Sequence, residues 1–263
     1  MTRASTGLHG VCALALVLGL ASGGAAHAGA WTQYKGDGLL LTGLSYHWLD
    51  APGGSRLRKT EYSFYGEYGL TGRVTLVGRF AIQSLEDERV SGDEGEFTNA
   101  LLAIGGTEAA VRMRLASPGR WVISGQVLRT FQSGGENRTN ARFGTGGGDV
   151  ELRLLAGRSV GRDSFVDVQV ARRDRSGRSG EEWRADITAG TALGDRWRVM
   201  AQTYSLHADA RPDAAGYTGH RAQLSVIYDV PAGFSVSAGL LSTLSARNLA
   251  NERAAIFALW RRF

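Results

Sequence analysis

Cysteine is almost missing from this sequence: of 263 residues one is Cys, at position 12, and only four are Pro. Cys12 falls in the leader described below, so the chain from Gly29 onward has none, which excludes a small domain stapled by disulfides. Lysine is scarce too: Lys35 and Lys59 are the two exceptions among 30 basic residues, the others being arginine. No segment approaches 18 consecutive apolar residues, so no membrane-spanning helix is expected. Helical periodicity is equally lacking. Glycine, in contrast, is abundant, with 37 residues, about twice its usual share.

Residues 1–28 read as an address rather than as part of a fold. Arg3 gives a positive start, residues 11–20 are apolar, and Ala26-His27-Ala28 is an A-x-A pattern that predicts cleavage before Gly29. Cys12 follows His-Gly-Val inside the apolar run, which is the wrong context for lipid attachment. Losing the leader removes Arg3 and leaves 29 basic against 25 acidic residues, or +4. The basic residues alternate with apolar ones instead of clustering, so a nucleic-acid partner is not expected.

The dominant pattern has period two. Val150, Leu152, Leu154 and Ala156 alternate with Asp149, Glu151 and Arg153, and Val166, Val168 and Val170 alternate with Asp167 and Gln169. Ala185, Ile187 and Ala189 alternate with Arg184, Asp186 and Thr188 in the same way. Such alternation puts each set on its own face of a sheet. Twelve strands are predicted, at 38–49, 58–69, 73–85, 104–115, 120–131, 149–158, 164–173, 183–193, 197–206, 218–229, 234–243 and 253–263. Their connections alternate in length. Tight turns at 70–73, 117–119, 160–163, 194–196 and 229–233 separate longer polar segments near 50–57, 86–103, 132–148, 174–182, 207–217 and 244–252. Short inner turns and long outer loops are the habit of outer-membrane barrels. Pro52, Pro118, Pro212 and Pro231 all fall in connections, where no ladder N–H is lost.

These observations predict an all-β fold: one antiparallel transmembrane β-barrel of about 12 strands over residues 29–263, in the outer membrane of a Gram-negative bacterium. Trp48, Trp121, Trp183 and Trp197 sit at predicted strand ends, where interfacial girdles form. Phe257, Leu259 and the terminal Phe263 lie at two-residue steps and match a C-terminal assembly signal, with Arg261 standing where an apolar residue is usual. The expected partners are therefore outer-membrane lipid and lipopolysaccharide, the outer-membrane assembly machinery, and a small-molecule solute.

Weak internal echoes, such as 105–117 against 146–159, indicate hairpin-level repetition. The glycine-glycine-acid strand entries, the turn pattern shared by 70–74 and 193–197, the start Gly29-Ala30-Trp31-Thr32-Gln33 and the final Trp260-Arg261-Arg262-Phe263 carry a family likeness. The chain resembles proteobacterial outer-membrane channel proteins related to the meta-pathway phenol-degradation family. That resemblance covers nearly the whole chain after the leader. It implies a twelve-stranded barrel and passage of small molecules, and it transfers no catalytic residue.

Charges on the lipid face would cost about 2–4 kcal/mol each near the midplane, so the polar face must line the lumen. It carries the acids Glu61, Glu67, Glu108, Asp149, Glu151, Asp167 and Asp186, and the bases Lys59, Arg79, Arg112, Arg114, Arg153, Arg184, Arg198 and Arg221. Two readings stand: a charge-lined conduit open to water, or a polar plug in which each Arg is locked to a carboxylate. The first makes the protein a passive channel for small solutes; the alternative is a structural or accessory barrel of a secretion or surface-polymer system. An enzyme is not expected, and least of all a lipid hydrolase. The His-x-Ser spacing of known outer-membrane lipid hydrolases is missing. His207 and His220, with Asp209 and Asp213 between them, have the spacing to meet at a metal, but wet loop histidines are the plainer reading, so no metal is expected. The glycine run 144–148 opens a strand, not a helix, and predicts no nucleotide cofactor.

Overall fold

The computed structural model describes residues 29–50, 56–88, 101–104, 107–131, 135–136, 142–143, 148–175, 181–210 and 215–263. The leader expected at 1–28 and most of the long loops lie outside these residues. Twelve strands form one antiparallel barrel: β1 (Gly38–Asp50), β2 (Arg56–Gly69), β3 (Val74–Glu88), β4 (in two pieces, Leu101–Ile104 and Thr107–Ala116), β5 (Trp121–Phe131), β6 (Val150–Val160), β7 (Ser164–Asp174), β8 (Glu181–Ala192), β9 (Trp197–Ala208), β10 (Tyr217–Val230), β11 (Phe234–Arg247) and β12 (Asn251–Arg262). Each strand pairs with its neighbours in sequence, and β1 pairs with β12 from Leu39↔Arg262 to Asp50↔Asn251, which closes the ring. Closure joins the first and last strands, so the ring's ladders are satisfied internally, the requirement for crossing a bilayer. Among the described residues there is no helix.

The period-two pattern becomes the two faces of the wall. Leu152, Leu154, Val168, Ile187, Leu224 and Leu240 point outward and are exposed without lipid around them, while Glu151, Asp167 and Thr188 point inward and are buried. Trp48 and Trp183 lie on the outer face at the long-loop end, and Trp121 and Trp197 at the short-turn end. An aromatic girdle therefore marks each rim. The few outward charges sit at these rims: the Arg158 guanidinium packs over the Trp121 ring at 5.3 Å.

One connection departs from expectation. The segment predicted as a long loop at 244–252 is mostly strand, and only 248–250 turn, with Asn248 at φ 57°. Asn is among the residues that tolerate this left-handed conformation, so a three-residue turn suffices. The strands also run longer than the ten residues expected, up to fifteen in β3. The loop at 132–148 contains a two-residue ladder, Gly135–Glu136 against Arg142–Phe143.

Phe257, Leu259 and Phe263 face outward. Phe263 N–H donates to Gly38 O at 3.1 Å and Gly38 N–H to Phe263 O at 2.8 Å, so the last residue completes the closing seam. Its ring covers Gly38 so closely that any Cβ there would lie 2.3 Å from Phe263 Cζ. Arg261, the departure from the apolar pattern, lays its guanidinium over the Phe234 ring and donates to Ala232 O at the rim, where a charge remains hydrated. Deleting Phe263 removes two seam hydrogen bonds and an aromatic contact. The heat-modifiable, folded fraction recovered from outer membranes should fall; an unchanged folded yield would show that the seam closes without it.

Candidate functional site in the barrel lumen

Residues before β1 do not trail into solvent; they fold up into the barrel from its short-turn end. Ala30 N–H donates to Asp167 Oδ2 at 2.8 Å, and Ser124 Oγ–H donates to Ala30 O at 2.5 Å. Gln33 N–H donates to Thr75 Oγ1 at 2.8 Å and its side-chain amide to Glu67 Oε2 at 2.7 Å. Arg112 reaches Trp31 O at 3.2 Å. Trp31 meets Phe165 edge to face, with centroids 5.9 Å apart, beside Met200, Ile227 and Trp260. A strip of backbone cannot stay in a lumen unless its polar groups are bonded, and here the inner faces of β2, β3, β4, β5 and β7 bond them.

Two glycines make the fit possible. Gly157 leaves room for the Trp31 ring, since a Cβ there would lie 2.5 Å from Trp31 Cη2. Gly29 has φ +73°, and a Cβ would meet Asp167 Oδ1 at 2.1 Å.

Above this segment the predicted lumen residues form connected ion pairs. Glu67 and Arg112 pair at 2.9 Å, both nearly out of solvent, with Tyr65 donating to Glu67 at 2.5 Å and Arg112 Nε to Gln126 at 3.0 Å. Glu151 has no exposed surface and contacts Arg153 at 2.8 Å, Arg173 at 2.9 Å and Arg184 at 3.9 Å. Arg153 also reaches Asp186 at 2.8 Å and Gln169 at 2.5 Å; Arg173 reaches Glu108 at 3.3 Å. Arg184 binds Glu182 at 2.5 Å, and Glu182 is shared with Arg175 at 3.5 Å and with the Tyr217 hydroxyl at 2.6 Å. Asp149, buried, lies 3.7 Å from Arg175. On the opposite wall Glu61 takes Lys59 at 3.3 Å and Arg79 at 2.7 Å, and Glu252 takes Arg221 at 2.7 Å and His47 at 2.6 Å.

Three predicted residues lie apart from these ion pairs: Asp167 holds the N-terminal segment instead. Arg114, half-buried, bonds Gly72 O at 2.5 Å, and Arg198 pairs with Asp229; both stand at the short-turn mouth. The structure also recruits residues that the sequence reading left out. Glu182 and Glu252 fell in segments read as loops, and His47 in a strand end. Arg173 shares the inward parity of Asp167, so strict alternation identifies it. His207 and His220 do not converge. His207 contacts Thr218 at 3.0 Å and Asp209 at 3.1 Å, and His220 contacts Ser205 at 2.9 Å. Asp213 lies outside the described residues. Among those described, no group of three or more His, Cys, Asp or Glu is placed to hold a metal.

Between the N-terminal segment and the long-loop end lies a cavity of about 270 Å³, lined by Gly29, Tyr65, Arg79, Glu108, Arg153, Asp186, Gln202 and Tyr204 among others.

Comparison with solved structures places this architecture. An outer membrane channel from Pseudomonas putida F1 superimposes with a TM-score of 0.71 at 14% identity, covering 90% of this chain and 99% of that one. The fold is that of an outer-membrane β-barrel. The monoaromatic hydrocarbon channel CymD matches with a TM-score of 0.51 at 9% identity, over 88% of this chain and 89% of that one. The translocator domain of the autotransporter NalP from Neisseria meningitidis matches with 0.51 at 11% identity, over 88% and 90%. These likenesses are of fold, and the first two agree with the channel-family resemblance read from the sequence. No family model matches the chain, and no curated protein matches it in sequence.

Removing one partner from a buried ion cluster strands the rest, at about 3–5 kcal/mol. Glu151→Gln, which leaves three guanidinium groups without their shared carboxylate, should lower unfolding stability in urea by that amount. Glu181→Gln, which breaks the exposed pair with Arg172, should cost under about 1 kcal/mol. Equal, small losses for both variants would mean that water screens the interior throughout.

Proposed function

We propose that the protein is an outer-membrane channel that passes small solutes by passive diffusion through a charge-lined lumen. The observation that carries this reading is the cavity above the N-terminal segment, where Arg79, Glu108, Arg153 and Asp186 stand beside Val77, Ala110 and Leu128 inside a closed barrel. A barrel with only a structural task gains nothing from an unfilled space with charged groups on its wall. The solved channels that share the fold support the same choice. The apolar outer band contacts outer-membrane lipid and lipopolysaccharide, and the terminal strand is the part offered to the assembly machinery.

The seated segment makes the conduit narrow, and mutual pairing of Arg153, Arg184 and their carboxylates reduces their influence on passing ions. Arg79, whose side chain is 38% exposed against 13% for Arg153, is the cation placed to act on solutes. In planar bilayers the wild-type protein should give small steps. Removing residues 29–34 should enlarge them several-fold, and Arg79→Gln should move the reversal potential toward cations. A folded barrel silent over a wide voltage range, with and without residues 29–34, would defeat the channel reading and favour an accessory role.

A further inference from the structure

Ser45 and His47 stand two residues apart on the inner face of β1, so both side chains enter the lumen from one side of the pleat. Ser45 Oγ lies 2.7 Å from His47 Nε2, and His47 Nδ1 lies 2.6 Å from Glu252 Oε1 on β12, across the closing seam. An ionised carboxylate only accepts, so the hydrogen-bond network assigns the imidazole proton to Nδ1 and leaves the Nε2 lone pair to accept the Ser45 hydroxyl. Hydroxyl, far ring nitrogen, near ring nitrogen and carboxylate thus follow in the order of a nucleophilic relay. Glu252 is fixed at both ends: Arg221 Nη1 holds its Oε2 at 2.7 Å, and its backbone N–H donates to Thr243 Oγ1 at 2.8 Å. His47 and Glu252 are buried, whereas Ser45 keeps partial exposure. The group sits in the half of the barrel nearer the long loops, beyond the N-terminal segment.

A seam hydrogen bond alone accounts for His47 and Glu252; it does not call for a hydroxyl aimed at the free nitrogen. We propose that Ser45, His47 and Glu252 hydrolyse small carboxylic esters that enter the lumen from the long-loop end, an activity beyond the passage of solutes. Ser45 Oγ attacks the ester carbonyl carbon while its proton passes to His47 Nε2 and the C=O pair moves onto oxygen. Collapse of that intermediate re-forms the C=O and breaks the bond to the alkoxy oxygen, which takes the proton from His47 and leaves as the alcohol. Water then attacks the acyl carbon, giving its proton to His47. The carboxylic acid departs as that proton returns to Ser45 Oγ. The usual backbone oxyanion donors are committed to the ladder here. Lys59, opposite His47 in the β1–β2 register and held by Glu61 at 3.3 Å, the longest ion pair on this wall, is the cation left to receive the oxyanion.

The test uses the full-length folded barrel in detergent, treated with a fluorophosphonate probe and mapped by peptide mass spectrometry, alongside turnover of p-nitrophenyl acetate. A covalent adduct on Ser45 is expected. It should be lost in Ser45→Ala and formed at least about 100-fold more slowly in His47→Gln, the scale of one missing general base. Heat-modifiable migration checks that each variant folds; if either does not, the location of the wild-type adduct decides alone. Folded wild-type protein without a Ser45 adduct, or labelling that His47→Gln leaves unchanged, overturns the proposal. The readout is chemical, so it is independent of the conductance result.

Discussion

The carboxylate of Glu151 has no solvent-accessible surface and lies against the guanidinium groups of Arg153, Arg173 and Arg184. An isolated charge so placed would be untenable, and without it the three cations would keep only their second acids, Asp186, Glu108 and Glu182. The outer face offers no relief, because lipid refuses charge more strongly than the lumen does. The interior must therefore solve its electrostatics by pairing. From Glu151 the contacts run through Arg173 to Glu108 on β4 and through Arg153 to Asp186 on β8. One acid thus links the inner surfaces of four strands that hydrogen bonds alone join only edge to edge.

Charge pairing does not fill the barrel. Eight strands enclose a space that their own side chains can occupy, and twelve enclose more. The chain adds residues 29–33, and the lumen receives them as it receives its own side chains. Asp167 caps Ala30 N–H, the Glu67–Arg112 pair binds Gln33 and Trp31, and the Trp31 ring joins Phe165 in the apolar floor. What is left above is a small cavity lined by Tyr65, Arg79, Glu108, Arg153, Asp186 and Tyr204 among others.

The wall was legible in the sequence because a pleated strand writes its two faces in alternate letters. The alternation gave twelve strands and the turns between them, and it assigned Glu151, Asp167 and Arg184 to the inside. Alternation says which face a residue occupies but not which residue it meets. Glu252 and His47 are 205 residues apart in sequence and become neighbours only when the ring closes. The N-terminal segment escaped for a related reason. It is held by side chains of five strands and has no periodicity of its own, so its residues look like any short polar lead-in. The missed turn at 248–250 shows a third limit, since polar residues such as Ser242 and Ser245 extend a strand past the rim as easily as they form a loop.

Whether residues 29–33 are part of the packed interior decides how much of the lumen is filled, and amide hydrogen exchange reads this at single positions. In the folded barrel the Ala30 and Gln33 amides, bonded to Asp167 and Thr75, should exchange as slowly as ladder amides of β6 and β7. Exchange at the rate of an unstructured peptide, with the ladder still protected, would contradict the account: the segment would then hang outside and the lumen would stand open.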